Sequence, residues 1–207
     1  MTDRLWYVAY GSNLLRERFS VYLTGSEDGS EFGAHPPAPS SAAVEAERWL
    51  WIDHALYFAG VSRRWTGASA FVSLNTDPAY PSLVHGYLID SVQLAHVASV
   101  ENVVDSVDIS AVESLSIGEW AALDIDRRGK AYRGKYDALL RLPDIDGLPA
   151  FTLTSSIVRE HGEPSSKYLS TIRRGLLSAE IDMDVDAYLD AAAGRVTSTR
   201  RGSSSEA

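Results

Sequence analysis

The stretch Trp6-Tyr-Val-Ala-Tyr-Gly-Ser-Asn-Leu14 constrains the fold of this chain more than any other. An apolar strand pattern, Leu5 to Tyr10, stops at Gly11-Ser12-Asn13, and a helical pattern starts at once with Leu14. The junction is strand, tight loop, helix. Such a loop presents backbone N–H groups at the positive end of a helix, a geometry suited to an anion or a polarised carbonyl. Glycine lets a backbone approach a ligand closely, and asparagine tolerates a left-handed turn. An ordinary tight turn satisfies the same spacing, so the residues alone leave both readings open.

The remaining chain must supply a core around that junction. With 207 residues and 45% hydrophobic content, it suffices for one full-sized domain with an insertion. We place a single domain over 1–194, with a mobile loop at 24–47 and a disordered tail at 195–207. The loop is rich in Gly, Ser, Pro and acidic residues, and is expected to bury little. Strands are expected at Arg48–Gly60, Ala68–Asn75, Leu83–Ile89, Glu119–Ile125, Tyr132–Leu142 and Leu148–Thr154. Helices are expected at Leu14–Leu23, Ser91–Val103, Ser165–Ser178 and Asp184–Ala193, with Asp90 and Gln93 spaced as a capping box. Strands predominate and only 90–119 offers a helical crossover. The pattern is therefore α+β: a small mixed, barrel-like β-sheet with flanking helices.

Composition narrows the function. The net charge of −9 opposes the phosphate backbone, and no nucleic-acid partner is expected. Cysteine is absent, which excludes disulfides, thiolate metal sites and a cysteine nucleophile. No apolar run approaches the ~18 residues of a membrane span, and the chain opens on a strand pattern instead of a secretory leader. The expectation is a soluble cytoplasmic protein, monomer or homodimer, without metal or cofactor. His85 and His96 lack any ligand spacing and read as structural. Asp144-Ile-Asp-Gly147 lacks the closing glutamate of a calcium loop and reads as a hairpin turn. Trp49 and Trp51 share a strand face, which suits core packing or an interface.

Glu101 is the candidate acid–base group. On a helix starting after Asp90, it continues the stripe Leu94, Val97, Ala98. A carboxylate facing an interior must be paired, hydrogen-bonded or protonated, and such positions suit proton transfer. A glutamate reaching water from a frayed helix end is the alternative, since Val100 and Val104 provide a second apolar stripe.

Four stretches, taken in order, resemble the gamma-glutamylcyclotransferase-like superfamily. Tyr10-Gly-Ser-Asn-Leu14 is similar to its signature loop, and Phe58-Ala-Gly-Val-Ser62 with Trp65-Thr-Gly-Ala-Ser-Ala70 to its second and third strands. Val84-His-Gly-Tyr-Leu-Ile89 and the following helix resemble the segment that carries the family's glutamate, which falls on Glu101. Pro164-Ser-Ser-Lys-Tyr-Leu169 resembles its C-terminal motif, which places Tyr168 towards the substrate. The resemblance spans residues 5 to 180 apart from the 24–47 loop. Departures are Asn102 directly after the glutamate, Gly67-Ala68 in place of Gly-Gly, and the longer loop.

The resemblance implies a reaction. The α-amine of a γ-glutamyl group attacks its own γ-carbonyl, closing 5-oxoproline and releasing an amine. It implies Glu101 as general acid/base and a small-molecule γ-glutamyl-type substrate bound by Tyr10, Gly11, Ser12, Asn13, Leu14 and Tyr168. Two alternatives remain at this level: a non-catalytic member that binds a metabolite or partner, and a γ-glutamyl or amine transfer on a biosynthetic intermediate.

Overall fold

The computed structural model describes residues 4–125 and 133–195. Tyr132, the expected start of one strand, and the tail beyond Arg195 lie outside the described residues. The first strand, β1 (Arg4–Ala9), is the centre of the molecule. Every residue from Leu5 to Tyr10 is buried, as a near-continuous apolar run predicts for a strand covered on both faces. A 3₁₀ turn at Ser12–Leu14 follows, then α1 (Arg16–Thr24). The chain continues through β2 (Glu47–Ile52), β3 (His54–Ser62), β4 (Gly67–Thr76) and β5 (Ser82–Asp90) into α2 (Ser91–Asn102). After β6 (Trp120–Ala122), β7 (Ala138–Ile145) and β8 (Leu148–Thr154) come α3 (Ser166–Leu177) and α4 (Val185–Ala193).

Six strands form one mixed sheet in the order β2-β5-β1-β8-β7-β6. β1 runs antiparallel to β5, with Arg4 opposite Asp90 and Ala9 opposite His85, and parallel to β8, with Tyr7 opposite Phe151. β3 and β4 form a separate antiparallel ribbon. Side chains tie that ribbon to the sheet: Ser82 Oγ donates to His54 O at 2.6 Å and Thr154 Oγ1 to Val72 O at 2.6 Å. These cross-links roll the assembly towards a barrel. The fold is the expected α+β arrangement, a mixed sheet with helices outside.

One expected strand is two. Arg48–Gly60 reads as continuous, but the chain turns at exposed Asp53. β2 before the turn pairs with β5, and β3 after it pairs with β4. Bulky residues on both sides of Asp53 hide the corner, because the two strands bury their faces in different sheets.

Two other strands differ in extent: Glu119–Ile125 is strand only at Trp120–Ala122, and the described part of Tyr132–Leu142 is strand only from Ala138, running on to Ile145. Cap and turn signals hold. Asp90 caps α2: Gln93 N–H donates to its Oδ1 at 2.8 Å, and Asp90 N–H donates back to Gln93 Oε1 at 3.0 Å. The Gln93 amide also donates to Ser40 O and Ala42 O, tying the 24–47 segment to the helix start. That segment, expected to bury little, buries Phe32, His35 and Ala38. Asp146 and Gly147 both take positive φ between β7 and β8, as a two-residue hairpin turn requires.

Candidate active site

The turn after β1 is held from two directions. On one side, Tyr87 OH of β5 donates to Asn13 O at 2.7 Å, and His85 Nδ1 lies 3.0 Å from Leu14 O. On the other, α3 presses its Gly175 against the turn. A Cβ there would sit 2.7 Å from Leu15 N and 2.8 Å from the Leu14 carbonyl carbon, so only glycine permits this approach. The turn bonds Leu14 N–H to Gly11 O at 3.0 Å and Leu15 N–H to Ser12 O at 3.2 Å. The amides at its N-terminal end stay outside its own hydrogen bonding.

A cavity of about 700 Å³ opens beside this turn. Tyr10, Gly11, Ser12, Asn13, Glu101 and Tyr168 all line it. Leu14 stands apart: it is fully buried in the core and anchors the turn through its carbonyl. Tyr10 contributes ring surface to the wall, while its hydroxyl is spent on Leu153 O at 2.5 Å.

The apolar stripe of α2 is as spaced in the sequence: Leu94, Val97 and Ala98 are fully buried. Glu101, one turn on, is partly buried and reaches the cavity. Its Oε1 accepts from Asn13 Nδ2 at 3.1 Å and from Tyr22 OH at 2.7 Å. Its Oε2 has no hydrogen bond among the described residues, and Glu101 lines the cavity. Oε1 thus carries the contacts that fix the carboxylate.

Behind Glu101 lies an ordered chain of groups. Arg18, only 2% exposed, donates to Tyr22 OH at 2.8 Å. Tyr22 passes the polarisation on by donating to Glu101. Burial, then the Glu101 charge, hold the Tyr22 phenol well above its ordinary range, so its proton stays in place. Arg18 Nη1 and Arg64 Nη1 both approach His35 Nε2, at 3.1 and 3.0 Å. That nitrogen accepts from two guanidinium groups, which requires a neutral ring. Burial and then the two arginines lower the His35 pKa from 6.5 to about 4.

Tyr168, at the start of α3, completes the wall. Its hydroxyl accepts from Ala70 N–H at 3.3 Å and lies against the Ser12 amide. Its own proton is not committed to any acceptor among the described residues. Burial raises its pKa to about 12, so it remains a donor. A Cβ on Gly11 would lie 2.9 Å from this hydroxyl, so the glycine makes room for it.

Asn102 gives the residue after the glutamate a definite task. Its side-chain amide accepts from Tyr136 N–H at 2.9 Å and donates to Tyr136 O at 3.0 Å. This peptide-like pairing pins the segment 133–136 to the end of α2. That segment brings Arg133, Lys135 and Tyr136 into the cavity wall.

Arg18, Tyr22, His35, Arg64, Lys135 and Arg159 were not foreseen as site residues. Arg18 and Tyr22 lie one turn apart on α1, and that spacing does not by itself mark either as a site residue. No three His, Asp or Glu side chains converge as metal ligands among the described residues, and no helix there is long and apolar enough to cross a membrane.

Neither a protein-family model nor a curated protein matches this chain. Solved structures do. A gamma-glutamyl cyclotransferase and an uncharacterized protein from Homo sapiens each superpose with a TM-score of 0.54 at 18% identity, covering 94% of this chain and 94% of theirs. The fold is therefore gamma-glutamylcyclotransferase-like.

Proposed function

We propose that this chain cyclises a γ-glutamyl amine to 5-oxoproline and releases the amine, with Glu101 as general acid/base. The observation that carries the reading is the carboxylate of Glu101. It is fixed through one oxygen to Asn13 of the signature turn and to Tyr22, its second oxygen makes no hydrogen bond among the described residues, and the residue lines the cavity.

The residues divide the work as follows. The turn at Gly11–Asn13 receives the α-carboxylate, and the cavity holds the glutamyl chain curled. Holding the amine near its own carbonyl converts lost chain freedom into effective concentration. Glu101 Oε2 takes a proton as the α-nitrogen bonds to the γ-carbonyl carbon. It delivers that proton to the departing nitrogen as the original amide bond breaks. The Tyr168 hydroxyl donates to the carbonyl oxygen as negative charge gathers there. Tyr10 supplies wall, and Leu14 supplies anchorage.

The test is to incubate the pure protein with a panel of γ-glutamyl dipeptides and glutathione, and to follow 5-oxoproline by mass spectrometry. At least one panel member should give product, and Glu101→Gln should lower its rate by about 10²–10⁴-fold. Absence of product from every member would replace this reading with metabolite binding or γ-glutamyl transfer.

A further inference from the structure

The cavity wall has a charge composition opposite to that of the chain. The sequence carries 28 acidic and 19 basic residues. Yet among the described residues the wall contains six cationic side chains, Arg18, Arg63, Arg64, Arg133, Lys135 and Arg159, and a single carboxylate, Glu101. Outside the cavity, Arg4, Arg16, Arg48, Arg141, Arg173 and Arg174 each meet a carboxylate. Within it, among the described residues, only Arg133 does so, at 3.9 Å from Asp137. Glu101 is the other carboxylate near these cations, so among the described residues they outnumber the acid groups beside them. Clustered, partly desolvated cations are costly unless an anion joins them.

Two of the six have their donors largely engaged. Arg18 and Arg64 converge on His35, and Arg18 also holds Tyr22. Lys135 differs. It is partly buried, its Nζ stands 5.4 Å over the Tyr136 ring, and it makes no hydrogen bond or ion pair among the described residues. Arg159 is fixed beside the same segment, with Nη2 on Gly134 O at 2.8 Å and Nε on Ser155 Oγ at 2.8 Å, and Nη1 makes no hydrogen bond among the described residues.

We infer that the amine half of the substrate carries more than one negative charge, and that Lys135, with Arg159, receives the additional acid group. This deepens the cyclotransferase reading and rests on it. The substrate class is a γ-glutamyl conjugate of an acidic amine, such as a dicarboxylic amino acid, in preference to conjugates of neutral or basic amines.

Two dipeptides isolate the charge: γ-glutamylglutamate and its amide isostere γ-glutamylglutamine. Calorimetric titration of the Glu101→Gln variant separates binding from turnover. The dicarboxylic conjugate should bind at least about tenfold tighter. Lys135→Met should shrink that gap to less than about threefold while leaving γ-glutamylglutamine affinity within about twofold. Lys135 loses no hydrogen bond or ion pair among the described residues, so this variant should fold normally; Arg159→Gln provides a second, independent reduction of the gap. Equal affinities, no binding of either dipeptide, or a gap that survives both substitutions would overturn the inference. Failure of the reaction reads differently. Selective binding without 5-oxoproline from the wild type would reject cyclisation and keep the acidic ligand. Equal release of 5-oxoproline from both dipeptides would keep cyclisation and reject the acidic ligand.

Discussion

Glu101 works as a carboxylate with two unlike oxygens. Oε1 accepts from Asn13 and Tyr22, and Oε2 makes no hydrogen bond among the described residues. The weakest point of that arrangement is Tyr22, because among the described residues its hydroxyl is the only link between buried Arg18 and Glu101. Tyr22→Phe keeps the ring that packs beside Phe19 and His35 but removes the link. Arg18 loses one of its two acceptors, keeping His35, and Glu101 is less firmly held. We expect kcat to fall about tenfold with KM within about twofold, read by steady-state 5-oxoproline release. Equal losses in both parameters would mean that Tyr22 only shapes the pocket. At this scale local pattern pointed to Glu101 and Gly11–Asn13, and the family resemblance to Tyr168, and the fold brings all of them to one cavity. It was silent on Arg18, His35, Arg64 and Lys135. Their roles arise from convergence of distant segments, and nothing in the immediate neighbours of a lone arginine or lysine signals that meeting.

Among the elements, the turn after β1 carries the geometry, and α3 clamps it. The clamp depends on one position. Gly175→Ala would put a methyl group against the Leu14–Leu15 backbone, which cannot swing aside like a side chain. We expect a loss of about 1–3 kcal/mol in denaturant unfolding, together with reduced turnover as Tyr168 on the same helix shifts from the turn. Wild-type stability and activity in this variant would show that α3 can slide freely. Element boundaries were readable where caps and turns announce them, as at Asp90, Ser165 and Asp146-Gly147. They were unreadable at Asp53, where strand pattern continues on both sides while the partner sheet changes. The 24–47 segment misled in another way. Its polar composition concealed three buried residues, and one of them, His35, sits in the site.

For the molecule as a whole, that histidine links the site to acid stability. In the fold its pKa is lowered to about 4, while the unfolded chain binds the proton near the ordinary value of 6.5. Between those values the unfolded state takes up a proton that the folded state refuses. The stabilisation from neutral His35 is therefore complete above pH 6.5 and lost as pH falls towards 4. The loss should amount to about 2 kcal/mol. Thermal unfolding across that window, compared with His35→Gln, checks it: the variant should show a shallower fall in Tm, and parallel curves would remove His35 from the account. The whole chain also sets an electrostatic contrast, an acidic exterior around a cationic cavity. Raising ionic strength should therefore lower kcat/KM for acidic substrates more than for neutral ones. The overall α+β class was legible because strand and helix periodicities differ. The charge of the cavity was not, because net charge sums over a surface that the ligand never meets.

The central claim is that Glu101 faces the reacting nitrogen of a γ-glutamyl group held at the Gly11–Asn13 turn. A crystal structure of the Glu101→Gln variant with a bound γ-glutamyl dipeptide tests it most directly. The account predicts the α-nitrogen about 3 Å from the side chain at position 101 and the α-carboxylate on the turn amides. A dipeptide bound with its α-nitrogen turned away from position 101, or seated outside this cavity, would contradict it.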